Sequence, residues 1–594
     1  RPDGRVLALA AVPYSFNLSQ GRQGDLPTLI AYNLPPSATF FNQAAATIGW
    51  GGFLLLLAVS LTKSHSPAFT LPPGLRALLA FFAITLLAAL ASPLRTHQPW
   101  ALALSNAGMI LAAALAALSA AAIQQAGLAL PAFRAFCIGL VVAGAVGSAV
   151  GIVQVYAPNV ADGVWIATGS IPGTAVGNMR QPNHLSSLLL WAIVAALWLG
   201  EARMLRRAAA FALAALFLFV VVLSASRTGA LSMLLLAGWG VLDRRLSRAA
   251  RLALLAAPLV YFVFWYGTGL WADHGHHVFG GETRFNTRGD VSSSRLGIWS
   301  NTLALIRMHP WAGVGFGEFN FAWTLTPFPG RPVAFFDHTH NLPLQLLVEL
   351  GVPLGLLVIA LLLAALVIAL IGTVRDAAAA GAPPGQATLR SAAFMMVLLI
   401  LVHSLLEYPL WYAYFLLPAA FAFGLGLGPR AATAALPRAA GAKRPLLIGA
   451  LLLTLGAAGA LADYARVVVI FAPGEDAAPL AQRIVDGRHS VFFSHHADYA
   501  AATTADHPAD VMPAFLGAPH YLLDARLLLA WAKALDEAGD TEHARYVAQR
   551  LREFRNDAAA DFFAPCEAPK RPPAAAPPFQ CLEPTRALSY ESFR

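Results

Sequence analysis

Long apolar runs dominate this sequence and limit what it can fold into. A helix needs about 20 apolar residues to cross the hydrocarbon core of a bilayer. Runs near this length recur at about 5–16, 45–62, 76–92, 100–123, 134–156, 185–200, 208–223, 228–242, 251–271, 346–372, 390–406, 411–428 and 446–463. Only 12% of the residues are charged, about half the share in a typical soluble domain. The sequence therefore predicts an all-α, polytopic membrane protein with about 12–13 transmembrane helices, and it argues against a water-soluble enzyme.

The excess of positive charge lies in three polar stretches between apolar runs. These stretches hold Arg203, Arg206 and Arg207; Arg244, Arg245, Arg248 and Arg251; and Arg430, Arg438, Lys443 and Arg444. Short basic loops beside membrane helices mark the cytoplasmic face and suit anionic lipid headgroups. Alternation of the spans then puts 157–184, 224–227, 272–345 and everything after about 464 on the outer face. No base-stacking pattern accompanies the basic residues, which argues against nucleic-acid binding.

The runs and stretches divide the chain into four predicted parts. They are N-terminal transmembrane helices over 1–271, a large outer loop over 272–345, C-terminal transmembrane helices over 346–463, and an outer tail over 464–594. In the tail, 519–538 and 541–556 are predicted to form an α-helical hairpin of the TPR-like repeat kind. The Pro- and Ala-rich end after about 564 predicts irregular structure. Cys566 and Cys581 are either a disulfide, in an oxidising compartment, or two free thiols.

Five clusters of polar and ionisable residues lie at outer span ends or in the outer loop, where such groups mark candidate sites. The clusters are Arg180-Gln181-Pro182-Asn183-His184, Ser226-Arg227-Thr228-Gly229, Ser294-Arg295-Leu296-Gly297-Ile298-Trp299, Asp337-His338-Thr339-His340-Asn341 and His403-Ser404-Leu405-Leu406-Glu407-Tyr408. Arginine can grip a phosphate through two parallel hydrogen bonds. Histidine can act as a general base near neutral pH.

Each cluster also has a structural interpretation. Arg180 could belong to a polar helix cap, Arg227 could reach the headgroups, Arg295 could be a surface arginine, His338 and His340 could be a structural pair, and Tyr408 could be an interface aromatic. The His-x-His spacing could instead bind a metal, although the other candidate ligands match no specific motif.

Other functional classes find less support in the sequence. No phosphate-binding G-x-x-x-x-G-K-[ST] loop and no G-x-S-x-G nucleophile elbow occurs. A transporter often repeats its motifs between two halves, and the sequence shows no such repeat. A purely structural scaffold would not need arginines at the outer ends of its spans.

Four of the clusters, in this order, resemble the O-antigen ligase and polymerase superfamily of bacterial inner membranes. The matching segments are 181–184, 226–229, 294–299 and 338–341, and the resemblance covers about 150–425. The fifth cluster continues as Pro409-x-Trp411-Tyr412. Together with the sizeable outer tail, it resembles the protein-glycosylating subgroup, the pilin-type O-oligosaccharyltransferases. The start of the chain departs from the subgroup, because its first apolar run is short.

The resemblance implies a reaction and a set of residue roles. A glycan carried on undecaprenyl diphosphate is transferred en bloc, with inversion and without a metal or other cofactor, to a hydroxyl of a periplasmic, pilin-like protein. Lipid A core or another repeat unit are the alternative acceptors. Arg227, Arg295 and Arg180 would bind the diphosphate, and His340, or secondarily His338, would be the base. Gln181, Asn183, His184, Asn341, His403, Glu407 and Tyr408 would support them.

Overall fold

The computed structural model describes residues 39–61, 69–163, 165–169, 171–282, 291–375, 383–428, 443–567 and 577–594. Regular structure within these ranges is entirely helical. The predicted first span at about 5–16 lies outside the described residues, as do Arg430 and Arg438.

The first eight described helices are apolar and follow the predicted spans. They are α1 (Thr39–Val59), α2 (Pro73–Thr96), α3 (Trp100–Gln125), α4 (Ala129–Tyr156), α5 (Pro182–Glu201), α6 (Arg207–Leu223), α7 (Arg227–Leu242) and α8 (Arg248–Gly275). Helix α5 is buried along nearly its whole length, because α4, α6 and α7 pack around it. Its sequence is apolar on every side, as expected for a helix enclosed by protein.

Three helices of the outer loop and four further apolar helices follow. They are α9 (Val291–Met308), α10 (Phe319–Leu325), α11 (Leu342–Leu350), α12 (Val352–Arg375), α13 (Leu389–His403), α14 (Ala413–Leu427) and α15 (Lys443–Phe471). The apolar run predicted from about 346 is interrupted at Gly351-Val352-Pro353, as its sequence indicates, because Gly351 separates α11 from α12. Gly351 has a φ of +79°, and an added Cβ would lie 2.5 Å from the carbonyl oxygen of Trp311.

Nine helices among the described residues are long and apolar enough to cross a membrane. Three shorter apolar helices, α6, α7 and α14, complete a set of twelve. The predicted all-α, polytopic membrane architecture is therefore confirmed.

Six short helices form the C-terminal part. They are α16 (Leu480–Gly487), α17 (Ser494–Thr504), α18 (Ala518–Tyr521), α19 (Ala525–Glu537), α20 (Thr541–Glu553) and α21 (Ala560–Glu567). Helices α19 and α20 form the predicted hairpin, but the predicted start at 519 was wrong. Asp524 caps α19 by accepting a hydrogen bond from Leu527 N, so the helix begins later. Asp540 caps α20 in the same way.

The end of the chain is more ordered than its composition predicts. Cys566 and Cys581 form a disulfide with a Cα–Cα distance of 5.3 Å. A turn of 3₁₀ helix at Tyr590–Phe593 follows, and Tyr590 is buried. Apart from this turn, the described residues after the disulfide form irregular structure, as predicted.

The outer loop and the C-terminal helices share one hydrophobic core, in which Phe319 and Trp323 pack with Ala497 and Val547. A buried ion pair reinforces this contact. Both carboxylate oxygens of Glu318 lie 2.9 Å from His520 Nδ1, and Arg594 Nη2 lies 3.9 Å from Glu318 Oε2. We call Glu318, His520 and Arg594 the Glu318 cluster. The C-terminal helices thus hold the outer loop in place over the membrane helices.

Candidate functional site

One buried carboxylate joins three of the five polar clusters. Glu407 lies between α13 and α14, and its Oε1 accepts hydrogen bonds from Asn183 Nδ2, at 3.1 Å, and from Arg295 Nη2. Its Oε2 lies 3.2 Å from His340 Nδ1. We call Asn183, Arg295, His340 and Glu407 the Glu407 cluster.

Helix starts position the first two sequence clusters. Pro182 opens α5, and the side chain of Gln181 caps it by accepting a hydrogen bond from His184 N. Asn183 then accepts a hydrogen bond of 2.6 Å from Ser226 Oγ. Ser226 in turn caps α7 by accepting from Gly229 N at 3.0 Å. Ser226, the N-cap of α7, therefore also fixes the side chain of Asn183 at the start of α5.

Close packing of α5 and α7 depends on Gly229. A Cβ added there would lie 2.4 Å from Ser186 Oγ and 2.9 Å from Val221 Cγ1. A larger residue would push the helices apart. The distance between Ser226 and Asn183 would then lengthen, and the Glu407 cluster would lose one of its supports.

The segment that carries His340 is held in an unusual backbone conformation. His340 has a φ of +53°, a region that costs a non-glycine residue roughly 1–3 kcal/mol. Its neighbours hold it there: Thr339 N donates to Gln345 Oε1 at 2.8 Å, and Asn341 caps α11. Arg180 and Ala225 also have positive φ values. Strain of this kind concentrates at functional sites.

Glu407 is ionised at neutral pH although it is buried. Burial alone would raise its pKa, but the hydrogen bond and charge of His340, together with the charges of Arg295 and His403, outweigh it and lower the pKa to about 2. The carboxylate is therefore a fixed negative charge that the surrounding donors hold in one position.

The two histidines of the fourth cluster have different environments. The side chain of His340 is 13% exposed, whereas that of His338 is 4% exposed and pairs with Asp337 at 2.6 Å. Within the described part of the chain, Nε2 of His340 has no hydrogen-bond partner. His340 is therefore the histidine that a substrate can approach more readily.

A second pair of histidines lies beneath the cluster. His403 Nδ1 lies 2.7 Å from Ser187 Oγ, and His184 Nδ1 lies 3.3 Å from Tyr414 OH. Both histidines are buried, and their ring centroids are 6.1 Å apart. They fill the space between α5, α13 and α14 and support Asn183 and Glu407 from below.

An apolar cavity of about 440 Å³ lies among the membrane helices and reaches Asp337 and His338, next to His340 in sequence. Phe82, Ile110 and Phe423 are among its apolar lining residues, and Asp337 and His338 line it as well. The cavity can take a hydrocarbon chain.

The structure brings most predicted site residues together, and these residues make different kinds of contact. Asn183, Arg295, His340 and Glu407 form one hydrogen-bonded set. Gln181 and Asn341 act as helix caps, and Tyr408 contacts the rings of both His338 and His340. Arg180 and Arg227 lie beside the set in sequence: Arg180 precedes the cap of α5, and Arg227 follows Ser226.

Sequence reasoning missed several partners of the predicted site residues. Glu407 was predicted to be a supporting residue, but it accepts hydrogen bonds from three different clusters. Ser187 and Tyr414 went unnoticed because a serine and a tyrosine inside apolar runs give no pattern. Ser226 could have been found, since a serine directly before a helix is a frequent N-cap. Among the described residues, no group of three or more His, Cys, Asp or Glu is arranged to hold a metal.

The five clusters fall within segments that match known families. Residues 211–359 match the family described as O-Antigen ligase, 391–564 the family described as Virulence factor membrane-bound polymerase, C-terminal, and 175–199 the family described as Protein glycosylation ligase. Over these segments the chain is similar to the Wzy/WaaL-like superfamily of O-antigen ligases and polymerases. Within it, the chain is similar to the protein glycosylation ligases (PglL-like).

Two curated relatives from Acinetobacter baylyi are similar to the chain over part of its length. The chain is 28% identical over 257 residues to a General O-oligosaccharyltransferase, covering 42% of this chain and 43% of the relative. It is 26% identical over 265 residues to a ComP-specific O-oligosaccharyltransferase, covering 44% and 45%. The chain thus spans less than half the length of either relative.

Proposed function

We propose that this protein is an O-oligosaccharyltransferase that moves a preassembled glycan from undecaprenyl diphosphate to a Ser or Thr hydroxyl of a periplasmic protein such as a pilin. The observation that carries the proposal is the Glu407 cluster, which puts an arginine and an oriented histidine on one carboxylate. The names of the two relatives and the protein glycosylation ligase match support the same reaction class.

We place the site on the periplasmic face of the bacterial inner membrane. Arg203, Arg206 and Arg207 follow the end of α5 that lies away from Asn183, and Arg244 and Arg245 follow the corresponding end of α7. Basic residues favour the cytoplasmic side, so the opposite end, with Glu407, faces the periplasm. The disulfide in the C-terminal part fits an oxidising compartment.

In the proposed reaction, the acceptor hydroxyl oxygen attacks the anomeric carbon of the first sugar from the face opposite the diphosphate. The bond between that carbon and the diphosphate oxygen breaks, and undecaprenyl diphosphate leaves with the bonding electrons. His340 Nε2 takes the hydroxyl proton. The anomeric configuration is therefore inverted, and the residues named here suffice without a metal or cofactor.

Arginine suits the leaving group in this reaction. A diphosphate gains negative charge as the bond breaks, and hydrogen bonds from a guanidinium stabilise that charge. Arg295 belongs to the Glu407 cluster, and Arg227 and Arg180 flank Ser226 and Asn183 in sequence. We assign all three to the diphosphate, with Arg295 nearest to the reacting carbon.

The apolar cavity supports a lipid substrate. Its lining by Phe82, Ile110 and Phe423 suits a hydrocarbon chain. An isoprenoid chain held in the cavity would reduce the entropy lost when the donor reaches the transition state, because the donor would already be fixed at the membrane.

The test is co-expression with a pathway that makes an undecaprenyl-linked oligosaccharide and with a candidate pilin, followed by intact mass measurement of the pilin. Wild type is expected to add the glycan mass, whereas Arg295→Ala and His340→Ala are not. Arg307→Ala is the matched control, because Arg307 is exposed on the same helix α9. No added mass with wild-type protein, in the presence of donor and pilin, would contradict the proposal.

The O-Antigen ligase and polymerase matches favour a second candidate with the same chemistry but another acceptor. Lipid A core or a growing O-antigen chain would replace the protein. Glycan on lipid A core or on a longer polysaccharide, and none on the pilin, would favour this candidate.

A further inference from the structure

Arg295 is bound to an anion that the protein itself supplies. Glu407 Oε1 accepts a hydrogen bond from Arg295 Nη2, and the carboxylate side chain is only 8% exposed. Arg295 Nε is buried and has no partner within the described residues. The guanidinium is thus only partly satisfied, and it retains donors for a second anion.

The other oxygen of the same carboxylate faces the base. Glu407 Oε2 lies 3.2 Å from His340 Nδ1. Because a carboxylate only accepts, Nδ1 of His340 donates to it, and Nε2 on the other side of the ring is left for a substrate. The carboxylate also stabilises the imidazolium that forms when Nε2 takes a proton, as a buried carboxylate does for catalytic histidines elsewhere.

We infer that Glu407 is a positioning residue that couples donor binding to the base: it neutralises Arg295 until the donor diphosphate displaces it, and its charge then serves His340 alone. The inference rests on the proposed function and deepens it. A diphosphate carries more negative charge than one carboxylate, so it can replace Glu407 as the partner of Arg295. Asn183, which Ser226 holds in place, keeps Glu407 from moving away when that exchange occurs.

If the diphosphate displaces Glu407 from Arg295, removal of the Glu407 charge should not weaken diphosphate binding, but it should lower the transfer rate. Without the Glu407 charge, Arg295 would lose a competitor and bind diphosphate at least as tightly, while His340 would lose its orientation. Loss of a positioned base costs about 10²–10⁴-fold in rate. Loss of the residue that orients the base should lower the rate by about 10²-fold, near the lower end of this range.

The experiment compares Glu407→Gln with Glu318→Gln in full-length protein in nanodiscs. Glu318 is also a buried carboxylate that holds a histidine, but it lies in the Glu318 cluster and not at the site. The binding probe is undecaprenyl diphosphate without a glycan, and the transfer assay uses the co-expressed donor and pilin described above. Glu407→Asp tests whether a shorter carboxylate restores part of the rate.

The expected result for Glu407→Gln is a kcat about 10²-fold lower with a diphosphate Kd that is equal to or below the wild-type value, while Glu318→Gln keeps both. A raised Kd together with the lower kcat would overturn the inference, since that result indicates a structural role. A wild-type kcat would overturn it as well. If wild type itself transfers no glycan, the proposed function fails, and the diphosphate Kd of Glu407→Gln still decides whether Glu407 competes for Arg295.

Discussion

Two buried carboxylates of this protein each hold a histidine and have an arginine close by, yet their surroundings differ. In the Glu318 cluster, the side chains of Glu318 and His520 are 0% and 3% exposed, and the cluster ties the outer loop to the C-terminal helices. In the Glu407 cluster, the histidine and the arginine are 13% and 18% exposed, and His340 has a strained backbone. Arg594 is 15% exposed, so the two clusters differ mainly in the histidine, which is buried in the clamp and remains reachable in the candidate site.

The largest expected difference between the clusters is in the transfer rate. His340→Ala should slow glycan transfer by about 10²–10⁴-fold, because it removes the positioned base, while the amount of folded protein stays the same. Transfer rates measured on equal amounts of folded protein, with Glu318→Gln in parallel, check this. Equal losses in the two variants would mean that the distinction between clamp and site is wrong.

The disulfide should affect the Glu318 cluster and not the Glu407 cluster. It closes a loop with a sequence separation of 15 residues, and a link of this length stabilises by about 3 kcal/mol. The double variant Cys566→Ser, Cys581→Ser should therefore loosen the segment with Tyr590 and Arg594, and limited proteolysis should cut it sooner. Transfer at low temperature should remain at the wild-type rate. Unchanged proteolysis would show that packing alone holds this segment.

Glu318→Gln should lower stability while leaving transfer intact. The substitution leaves His520 without its anionic partner in a buried place, which costs about 1–3 kcal/mol. Thermal unfolding in detergent, followed by tryptophan fluorescence, measures the loss. Glu475→Gln, at an exposed position, is the matched control and should unfold like wild type. A Tm for Glu318→Gln equal to that of the control would refute the clamp.

The smallest expected effect concerns Glu349, which accepts a hydrogen bond of 2.8 Å from Gln345 and lies near Glu318. Burial raises the pKa of Glu349 to about 8, above an ordinary value of about 4.3. As the pH rises through this window, the unfolded chain loses the proton while the folded protein keeps it, so stability falls. The Tm of Glu349→Gln should fall less between pH 5 and pH 8 than that of wild type. Parallel curves would contradict the raised pKa.

The membrane architecture could be predicted from the sequence because apolar length and basic loops act locally. The order of the five polar clusters also predicted that they meet at one end of the bundle. The central role of Glu407 could not be predicted, since it depends on Asn183 and Arg295, which are far away in sequence and come close only through packing. The start of α19 depends on one cap at Asp524, and apolar periodicity alone does not reveal it.

The C-terminal helices share a core with the outer loop, so their role cannot be tested by deleting them. Because Trp323 and Val547 belong to one core, deletion of 464–594 would expose apolar surface of the loop as well. Point substitutions on α19 and α20 are the better way to ask whether these helices recruit an acceptor.

Three membrane helices are short, and the bilayer must respond to them. Helices α6, α7 and α14 have 17, 16 and 15 residues, which at about 1.5 Å per residue gives about 23–26 Å. The hydrocarbon core is about 30 Å thick. Helix α14 is buried by protein, and we expect lipids beside the exposed faces of α6 and α7 to thin by a few ångströms. Helix α7 begins directly after Ser226, so the thinned region adjoins the Glu407 cluster. In the proposed reaction, a dissolved acceptor would meet a lipid-borne sugar in this region while each stays in its own phase.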